Sequence, residues 1–156
     1  MEQTMIKTEN LSKRFGSFAL QDIHFDLPAG YICGLVGENG AGKTTLLNIM
    51  AGLYEYDGTI SIQEKEYRTN QMELQQEIGF VFHEEWFDDW DSLIANSRHY
   101  GKYYKNYDEA LLKTYFKRFR LDEKKKYKKL SKGEKLKFAF AFALAHHPKL
   151  LLLDEP

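Results

Sequence analysis

Cysteine and long apolar segments are nearly missing from this sequence. Its 156 residues include a single cysteine, Cys33, which we expect to be a small buried packing residue and not a redox group. The longest near-apolar stretch, residues 138–145, spans about two helical turns and is far too short to cross a membrane. Residues 1–4 do not resemble a secretion signal. These features predict a cytoplasmic protein.

The near-neutral net charge of −1 hides two blocks of opposite sign. Residues 117–137 contain eleven Lys/Arg and three Asp/Glu, whereas residues 84–91 contain five carboxylates and no base. A lysine-rich stretch of this kind is typical of a solvated helix or loop, and contact with nucleic acid or anionic lipid is the alternative. No nucleic-acid recognition motif accompanies it, so we do not expect nucleic acid as a partner.

Hydrophobic periodicity predicts alternating strands and helices within a single domain. The predicted strands cover residues 5–11, 23–27, 31–36, 58–62, 78–82 and 150–153. The predicted helices cover residues 44–51, 92–104, 107–120 and 131–146, the first of them ending before Gly52. The continuous apolar runs 31–36, 78–82 and 150–153 are typical of strands buried on both faces.

A glycine-rich loop matches the phosphate-binding pattern G-x-x-x-x-G-K-[ST] at every fixed position. It lies between a predicted strand and a predicted helix, as phosphate binding requires. Glycines let successive N–H groups point at one anion, and the helix N-terminus adds partial positive charge. Lys43 is predicted to reach the β- and γ-phosphates and Thr44 to bind Mg²⁺. The predicted nucleotide contacts are Gly37, Glu38, Asn39, Gly40, Ala41, Gly42, Lys43, Thr44 and Thr45.

Two acidic residues follow the last predicted strand, 150–153. In phosphate-loop enzymes, a carboxylate at the end of a neighbouring strand holds Mg²⁺. An adjacent carboxylate can act as general base for water. We therefore predict Asp154 as a metal ligand, and Glu155 as the general base or as the residue that positions the attacking water.

A helix start is predicted at Ser131, because Ser131 is a good N-cap and Glu134 completes a capping box. A capped helix needs no ligand, and this is one reading of the segment. The same N-terminus can also bind an anion.

The order of these motifs resembles that of the ATP-binding cassette (ABC) ATPases, over nearly the whole chain. Their signature Leu-Ser-Gly-Gly-Gln is similar to residues 130–134, which depart from it at Lys132 and Glu134. By this resemblance, Ser131 and Gly133 contact the γ-phosphate of ATP bound to a second ATP-binding subunit. The aromatic residue that stacks on adenine would be Phe15, unless Phe15 is simply a core residue.

The resemblance also implies the architecture. We expect an α/β P-loop ATPase core formed by residues 1–82 and 147–156, with an antiparallel N-terminal β portion. Residues 84–146 would form a helical subdomain that carries the signature. The Lys132 variant and the short lysine-rich linker resemble bacterial exporter-type ATPases.

One departure from the family falls at His83, where a glutamine usually contacts Mg²⁺ and water. Imidazole is a poor ligand for Mg²⁺. His83 therefore replaces the glutamine weakly as a catalytic residue, or Glu84 takes that role. Alternatively, the coupling of ATP hydrolysis to transport is altered, or His83 is an ordinary loop residue.

The segment Trp86–Trp90 begins the helical subdomain in this reading, and we call it the acidic-aromatic segment. Three large aromatic residues among carboxylates favour a partner groove over bulk solvent. We expect this segment to receive a cytoplasmic helix of a membrane-spanning subunit.

The resemblance implies an ATPase, with ATP and Mg²⁺ as ligands, that drives transport from the inner face of the cell membrane. Such ATPases continue for roughly a third of a domain past the position of Pro156, so we expect weak or absent hydrolysis by this chain alone. The alternatives are a soluble ABC-type ATPase acting on ribosomes or nucleic acid, a switch GTPase or small-molecule kinase, and a non-hydrolysing nucleotide-binding module.

Overall fold

The computed structural model describes residues 3–82 and 86–154. The chain divides into two compact units, the first ending at Gln75 and the second beginning at Gln76. The grouping of residues 1–82 with 147–156 stays a prediction.

The first unit contains a four-stranded antiparallel sheet, whose strands are β1 (Thr4–Phe15), β2 (Phe18–Pro28), β3 (Asp57–Ile62) and the two-residue β4 (Lys65–Glu66). Their order in the sheet is β2-β1-β3-β4. Strands β1 and β2 are longer than the sequence pattern predicts, because they form a continuous hairpin. The predicted antiparallel N-terminal portion is therefore confirmed, and its core includes the fully buried Leu11, Ile60 and Ile62.

Two helices accompany this sheet. Helix α1 (Lys43–Met50) follows the glycine-rich loop as predicted, and Gly52, at a φ of 76°, lies just beyond its end. Helix α2 (Tyr67–Gln75) was not predicted from the sequence. Its Gln75 Nε2 donates to the carbonyl of Ala51 at 3.1 Å, so α2 helps to satisfy the C-terminal end of α1.

The strand predicted at Tyr31–Val36 does not form. These residues adopt no regular structure, all of them are exposed, and the side chains of Ile32 and Val36 are almost fully accessible. Cys33 is exposed as well, which contradicts the expected buried packing role. A strand needs hydrogen-bonded neighbours, and none of the described strands pairs with this segment. Apolar composition alone was therefore an insufficient signal.

The second unit contains the parallel pair β5 (Ile78–Val81) and β6 (Leu150–Leu153), both predicted. Ile78 and Val81 are buried, whereas Leu153 is 37% exposed, so β6 is only partly covered. Behind β5 lies the buried His146, whose Nε2 is 3.1 Å from the carbonyl of Ile78. Burial lowers the pKa of His146.

Three helices complete the second unit, close to their predicted positions. They are α3 (Leu93–Gly101), α4 (Glu109–Phe119) and α5 (Lys132–Leu144). A short 3-10 turn, Tyr127–Lys129, precedes α5. None of the helices in residues 3–82 and 86–154 has the length and apolar character needed to cross a membrane.

The acidic-aromatic segment divides between core and surface. Phe87 packs into the core of the second unit, with its ring centroid 4.6 Å from Phe138 and 5.4 Å from Tyr127. Trp86 and Trp90 are instead 52% and 66% exposed. The expectation that three aromatics face a partner was therefore wrong for Phe87, because this ring fills a gap between helices.

Residues 89–91 of the acidic block lie beside residues 127–128 of the lysine-rich block. The backbone N–H of Tyr127 donates to the carbonyl of Asp91 at 3.0 Å, and that of Lys128 donates to Asp89 at 3.1 Å. Lys128 Nζ lies 2.9 Å from the ring centroid of Trp90, a cation–π contact. Backbone hydrogen bonds and this cation–π contact therefore join the described part of the acidic block to the lysine-rich block.

Candidate nucleotide-binding site

The glycine-rich loop leads directly into α1, and this helix has no side-chain cap. Its N-cap is Gly42, in a left-handed conformation with φ 99° and ψ 13°. Glycine tolerates this conformation, and it brings no oxygen that could accept hydrogen bonds from the first turn. Within the loop, the N–H of Ala41 donates to the carbonyl of Glu38 at 3.1 Å. The start of α1 thus presents backbone donors and its positive dipole end to an anion.

Lys43 folds back onto this loop. Its Nζ donates to the carbonyl of Gly37 at 2.6 Å and to that of Glu38 at 2.9 Å. An ammonium group is thereby held beside the loop by two neutral acceptors. Phosphate oxygens are stronger acceptors for a cation than carbonyls, so an incoming polyphosphate can replace them.

Close packing at Gly42 fixes the loop against the β1–β2 hairpin. A Cβ atom at Gly42 would lie 2.5 Å from Leu20 Cδ2 and 2.8 Å from Phe18 Cζ. Both distances are shorter than real Cβ contacts, so any other residue at position 42 would force the Leu20 and Phe18 side chains to shift. The other loop glycine with positive φ, Gly40 at 83°, has open space around it.

Phe15 is a surface residue of the hairpin and not part of the core. It is 39% exposed, and it lies directly opposite Phe18 in the β1–β2 register. Opposite residues of an antiparallel pair share one face of the sheet, so Phe15 is on the face where Phe18 meets Gly42. An exposed aromatic ring therefore lies on the same side of the hairpin as the glycine-rich loop.

In the second unit, Asp154 directly follows β6. It is 9% exposed, and its N–H donates to the carbonyl of Val81 at 2.9 Å, which continues the pairing of β5 with β6. In the first unit, Thr44 is the second residue of α1 and is exposed. Glu155 and His83 lie outside the described residues, and so do Glu84 and Glu85.

The N-terminus of α5 has the predicted capping box. Ser131 Oγ accepts from the N–H of Glu134 at 3.2 Å, and the Glu134 carboxylate accepts from the N–H of Ser131 at 2.8 Å. The same carboxylate accepts two hydrogen bonds from Lys125 Nζ, at 2.9 and 3.0 Å. The Lys125 ammonium and the Ser131 N–H lower the pKa of Glu134 to about 2. The Glu134 carboxylate therefore has its counter-charge, Lys125, within the same chain.

Gly133 lies in the first turn of α5 and has no packing role within the described part of the chain. A Cβ atom there would have no heavy atom within 4 Å, and the residue is exposed. Neither backbone conformation nor internal packing calls for glycine at this position. The open space at Gly133 would allow another molecule to approach the backbone closely.

Sequence reasoning missed two residues near these sites, Lys125 and Tyr54. Lys125 pairs with Glu134 nine positions away, across a turn that no local periodicity reveals. Tyr54 contacts Phe15 from a loop 39 positions further along the chain, with ring centroids 5.0 Å apart. The family pattern contained no signal for either residue.

Comparison with known proteins identifies the family. The family model described as "ABC transporter" matches residues 20–156. The sulfate/thiosulfate import ATP-binding protein of Bacillus cereus is 35% identical over 97% of this chain and 45% of its own length. The bacitracin transport ATP-binding protein of Bacillus licheniformis is 33% identical over 98% of this chain and 51% of its own length. The chain thus spans about half the length of these two relatives.

Solved structures agree with this assignment. A structure described as the ATP binding subunit of an ABC transporter superposes with a TM-score of 0.87, at 26% identity, over 98% of this chain and 67% of the other. The cbiO1 protein of Clostridium perfringens, part of the cbiONQ transporter complex, gives a TM-score of 0.80 at 27% identity, over 99% of this chain and 66% of the other. This chain therefore belongs to the ABC transporter family and has its α/β ATPase fold.

Proposed function

We propose that this chain is the ATP-binding subunit of an ABC transporter and that it binds MgATP through residues 37–45. The observation that carries the proposal is the start of α1, where a helix without a side-chain cap stands beside the ammonium of Lys43. Such an N-terminus suits a polyphosphate better than a carboxylate or a neutral ligand. Membership of the family supports ATP as the nucleotide.

Binding of ATP uses three parts of the first unit. Lys43 exchanges the carbonyls of Gly37 and Glu38 for β- and γ-phosphate oxygens, and the backbone N–H groups of the loop donate to the same phosphates. Phe15 stacks on the adenine. The phosphate contacts provide most of the affinity because they involve full charges, whereas stacking selects for a planar base.

Magnesium fits the residue types that this chain offers. The Thr44 hydroxyl in the first unit and the Asp154 carboxylate in the second are hard oxygen ligands, as Mg²⁺ prefers. Residues 3–82 and 86–154 contain no cluster of three or more His, Cys, Asp or Glu side chains that could hold a metal. This agrees with an ion that keeps several waters and binds mainly to phosphate. Bound Mg²⁺ would neutralise charge on the phosphates.

Hydrolysis is proposed for the paired subunits of the whole protein. Glu155 acts as general base toward the attacking water, and His83 stands where the family has its glutamine. Ser131 and Gly133 of one subunit contact the γ-phosphate bound to the other; Ser131 is an exposed residue, and no atom of residues 3–82 and 86–154 crowds Gly133. Two ATP molecules are thus enclosed between two ATP-binding subunits, identical or different.

A membrane-spanning subunit is the proposed mechanical partner, at the inner face of the cell membrane. The surface offered to it includes Trp86 and Trp90, which are exposed, and the carboxylate of Asp89. Asp88 is less suitable for a test, because its Oδ1 accepts from the N–H of Trp90 at 2.8 Å and thereby holds the turn. Reversing the charge with Asp89→Lys should weaken assembly with the membrane subunit. If assembly and the coupled ATPase activity were unchanged, this surface would not be the docking site.

The test of nucleotide binding is calorimetric titration of the chain with MgATP. Lys43→Ala should lower the affinity by roughly 10- to 100-fold, because hydrogen bonds to charged groups are worth about 1.5–3 kcal/mol each. Lys7→Ala is a matched control, since Lys7 is an exposed lysine of the same unit, paired with Glu9. Equal affinities for Lys43→Ala and Lys7→Ala would contradict the assignment of residues 37–45.

A further inference from the structure

Phe15 does not stand alone at the surface of the first unit. The ring of Tyr54 meets it edge-to-face, with centroids 5.0 Å apart and an interplanar angle of 70°. Each of the two residues is 39% exposed. This aromatic pair therefore keeps contact with solvent instead of closing into the core, and it lies beside the hairpin that packs on the phosphate-binding loop.

The position of Tyr54 is fixed from both ends of its loop. On one side, Gln75 and Gln71 donate to the carbonyls of Ala51 and Gly52, at the end of α1. On the other side, Arg68 Nη2 donates to the carbonyl of Tyr56 at 2.8 Å, and its guanidinium stacks 4.5 Å from the Tyr56 ring.

The next residue along, Asp57, pairs with Ser12 in β1. A loop held at both ends carries its aromatic ring at a defined place, so the contact with Phe15 is built into the fold.

The face of Phe15 is covered in part by a displaceable group. Lys13 Nζ lies 5.1 Å from the Phe15 ring centroid. In the β1–β2 register Lys13 is opposite Leu20, a residue that contacts Gly42, so it is on the same face of the hairpin as the loop. A lysine side chain has a long, rotatable stem and can leave the ring when a planar base arrives.

We propose that Tyr54 is a second aromatic wall of the base subsite, which buttresses Phe15 and contacts the adenine of bound ATP. This inference rests on the proposed function, because it assigns a further residue to the same nucleotide site. The two rings meet at a steep angle, so a base that stacks on one of them meets the edge or face of the other.

The experiment compares two ligands, MgATP and magnesium tripolyphosphate, by calorimetric titration of the full chain. Tripolyphosphate reports on the phosphate-binding loop without a base. Tyr54→Ala should weaken MgATP binding by about 3- to 10-fold, the range expected for loss of one aromatic contact with a base, and leave tripolyphosphate binding unchanged. Tyr54→Phe should stay within about twofold of the original protein, since it keeps the ring. Tyr103→Ala, which removes an exposed tyrosine of the second unit, is the control.

The outcomes separate this inference from the proposed function. Equal weakening of both ligands by Tyr54→Ala would mean that the loop was disturbed, and an unchanged MgATP affinity would mean that Tyr54 does not touch the base; either result overturns the inference. If the protein binds MgATP no more tightly than magnesium tripolyphosphate, there is no base subsite, but the assignment of residues 37–45 to phosphate binding is retained. A protein that binds neither ligand refutes the proposed function and the inference together.

Discussion

Two helices of this chain begin at motifs that point to phosphate, and they begin in different ways. Helix α1 starts at Gly42, a left-handed residue without a side-chain cap. Helix α5 starts at Ser131 with a complete capping box, whose Glu134 is also paired with Lys125. The first start has no side-chain cap, whereas at the second the N–H groups of Ser131 and Glu134 are bonded within the chain.

The difference indicates how each start takes part in binding. We expect the backbone N–H groups at the start of α1 to be the binding groups, which a bound anion would stabilise. At α5 the N–H groups of Ser131 and Glu134 are already bonded in the capping box, and the Ser131 hydroxyl and the open space at Gly133 are the features proposed to meet a phosphate. The capping box of α5 therefore forms without a ligand.

The largest expected effect is that of Gly42→Ala. The new Cβ would meet Leu20 and Phe18, and alanine would have to adopt a φ of 99°. We expect a loss of about 2–4 kcal/mol in the free energy of unfolding, from left-handed strain plus overpacking. Urea unfolding followed by circular dichroism measures it, because Trp86 and Trp90 report only on the second unit.

A matched variant separates the two causes. Gly40→Ala also requires a positive φ, of 83°, but its Cβ would meet nothing within 4 Å. It should therefore be destabilised by about 1–2 kcal/mol, which is the strain alone. Equal losses for Gly40→Ala and Gly42→Ala would show that the contact of the loop with β2 is not tight.

A smaller effect of opposite sign is expected for Gly133→Ala at α5. Alanine is a better helix former than glycine and has free space here, so stability should be unchanged or rise by up to about 1 kcal/mol. We expect the same variant to weaken MgATP-dependent association of two chains, measured by sedimentation. A variant that is destabilised, or that associates as the original protein does, would contradict the role given to this glycine.

The smallest effect is expected at acid pH and concerns Glu134. Its pKa is lowered to about 2 from an ordinary value of 4.5. Because the folded value is the lower one, its stabilisation is present above pH 4.5 and is lost as the pH falls toward 2. Glu134→Gln should therefore lose less stability than the original protein over this range, as followed by tryptophan fluorescence of the second unit.

Glu109 provides an internal reference for this measurement. Its pKa is also lowered to about 2, through hydrogen bonds from Arg98, and it is present in both proteins. The difference between the two acid curves therefore reports Glu134 alone. Superimposable curves would show that the contact of Lys125 and Ser131 with this carboxylate does not contribute to stability.

Local features of the sequence predicted much of the fold and the positions of the candidate sites. The glycine-rich loop, helix α1 with its stop at Gly52, the capping box at Ser131 and the strands β5 and β6 all follow from neighbouring residues. A cap, a turn or a helical period depends on side chains within a few positions of each other. Such features can therefore be predicted without knowledge of the rest of the chain.

Other properties depended on which segments meet in three dimensions. The apolar residues 31–36 predicted a buried strand, yet burial requires neighbours, and the described strands pair elsewhere. Phe87 and Trp90 are three positions apart in one aromatic segment, but one ring packs on Phe138 and the other remains exposed under Lys128.

Long-range contacts account for these cases and for the residues that sequence reasoning missed. The contact of Tyr54 with Phe15 and the proximity of the acidic and lysine-rich blocks join positions far apart in the chain. The sequence by itself determined the loop, the caps and the family. Tertiary structure decided which apolar side chains are buried and which charged side chains form ion pairs, because burial and ion pairing depend on contacts between distant segments.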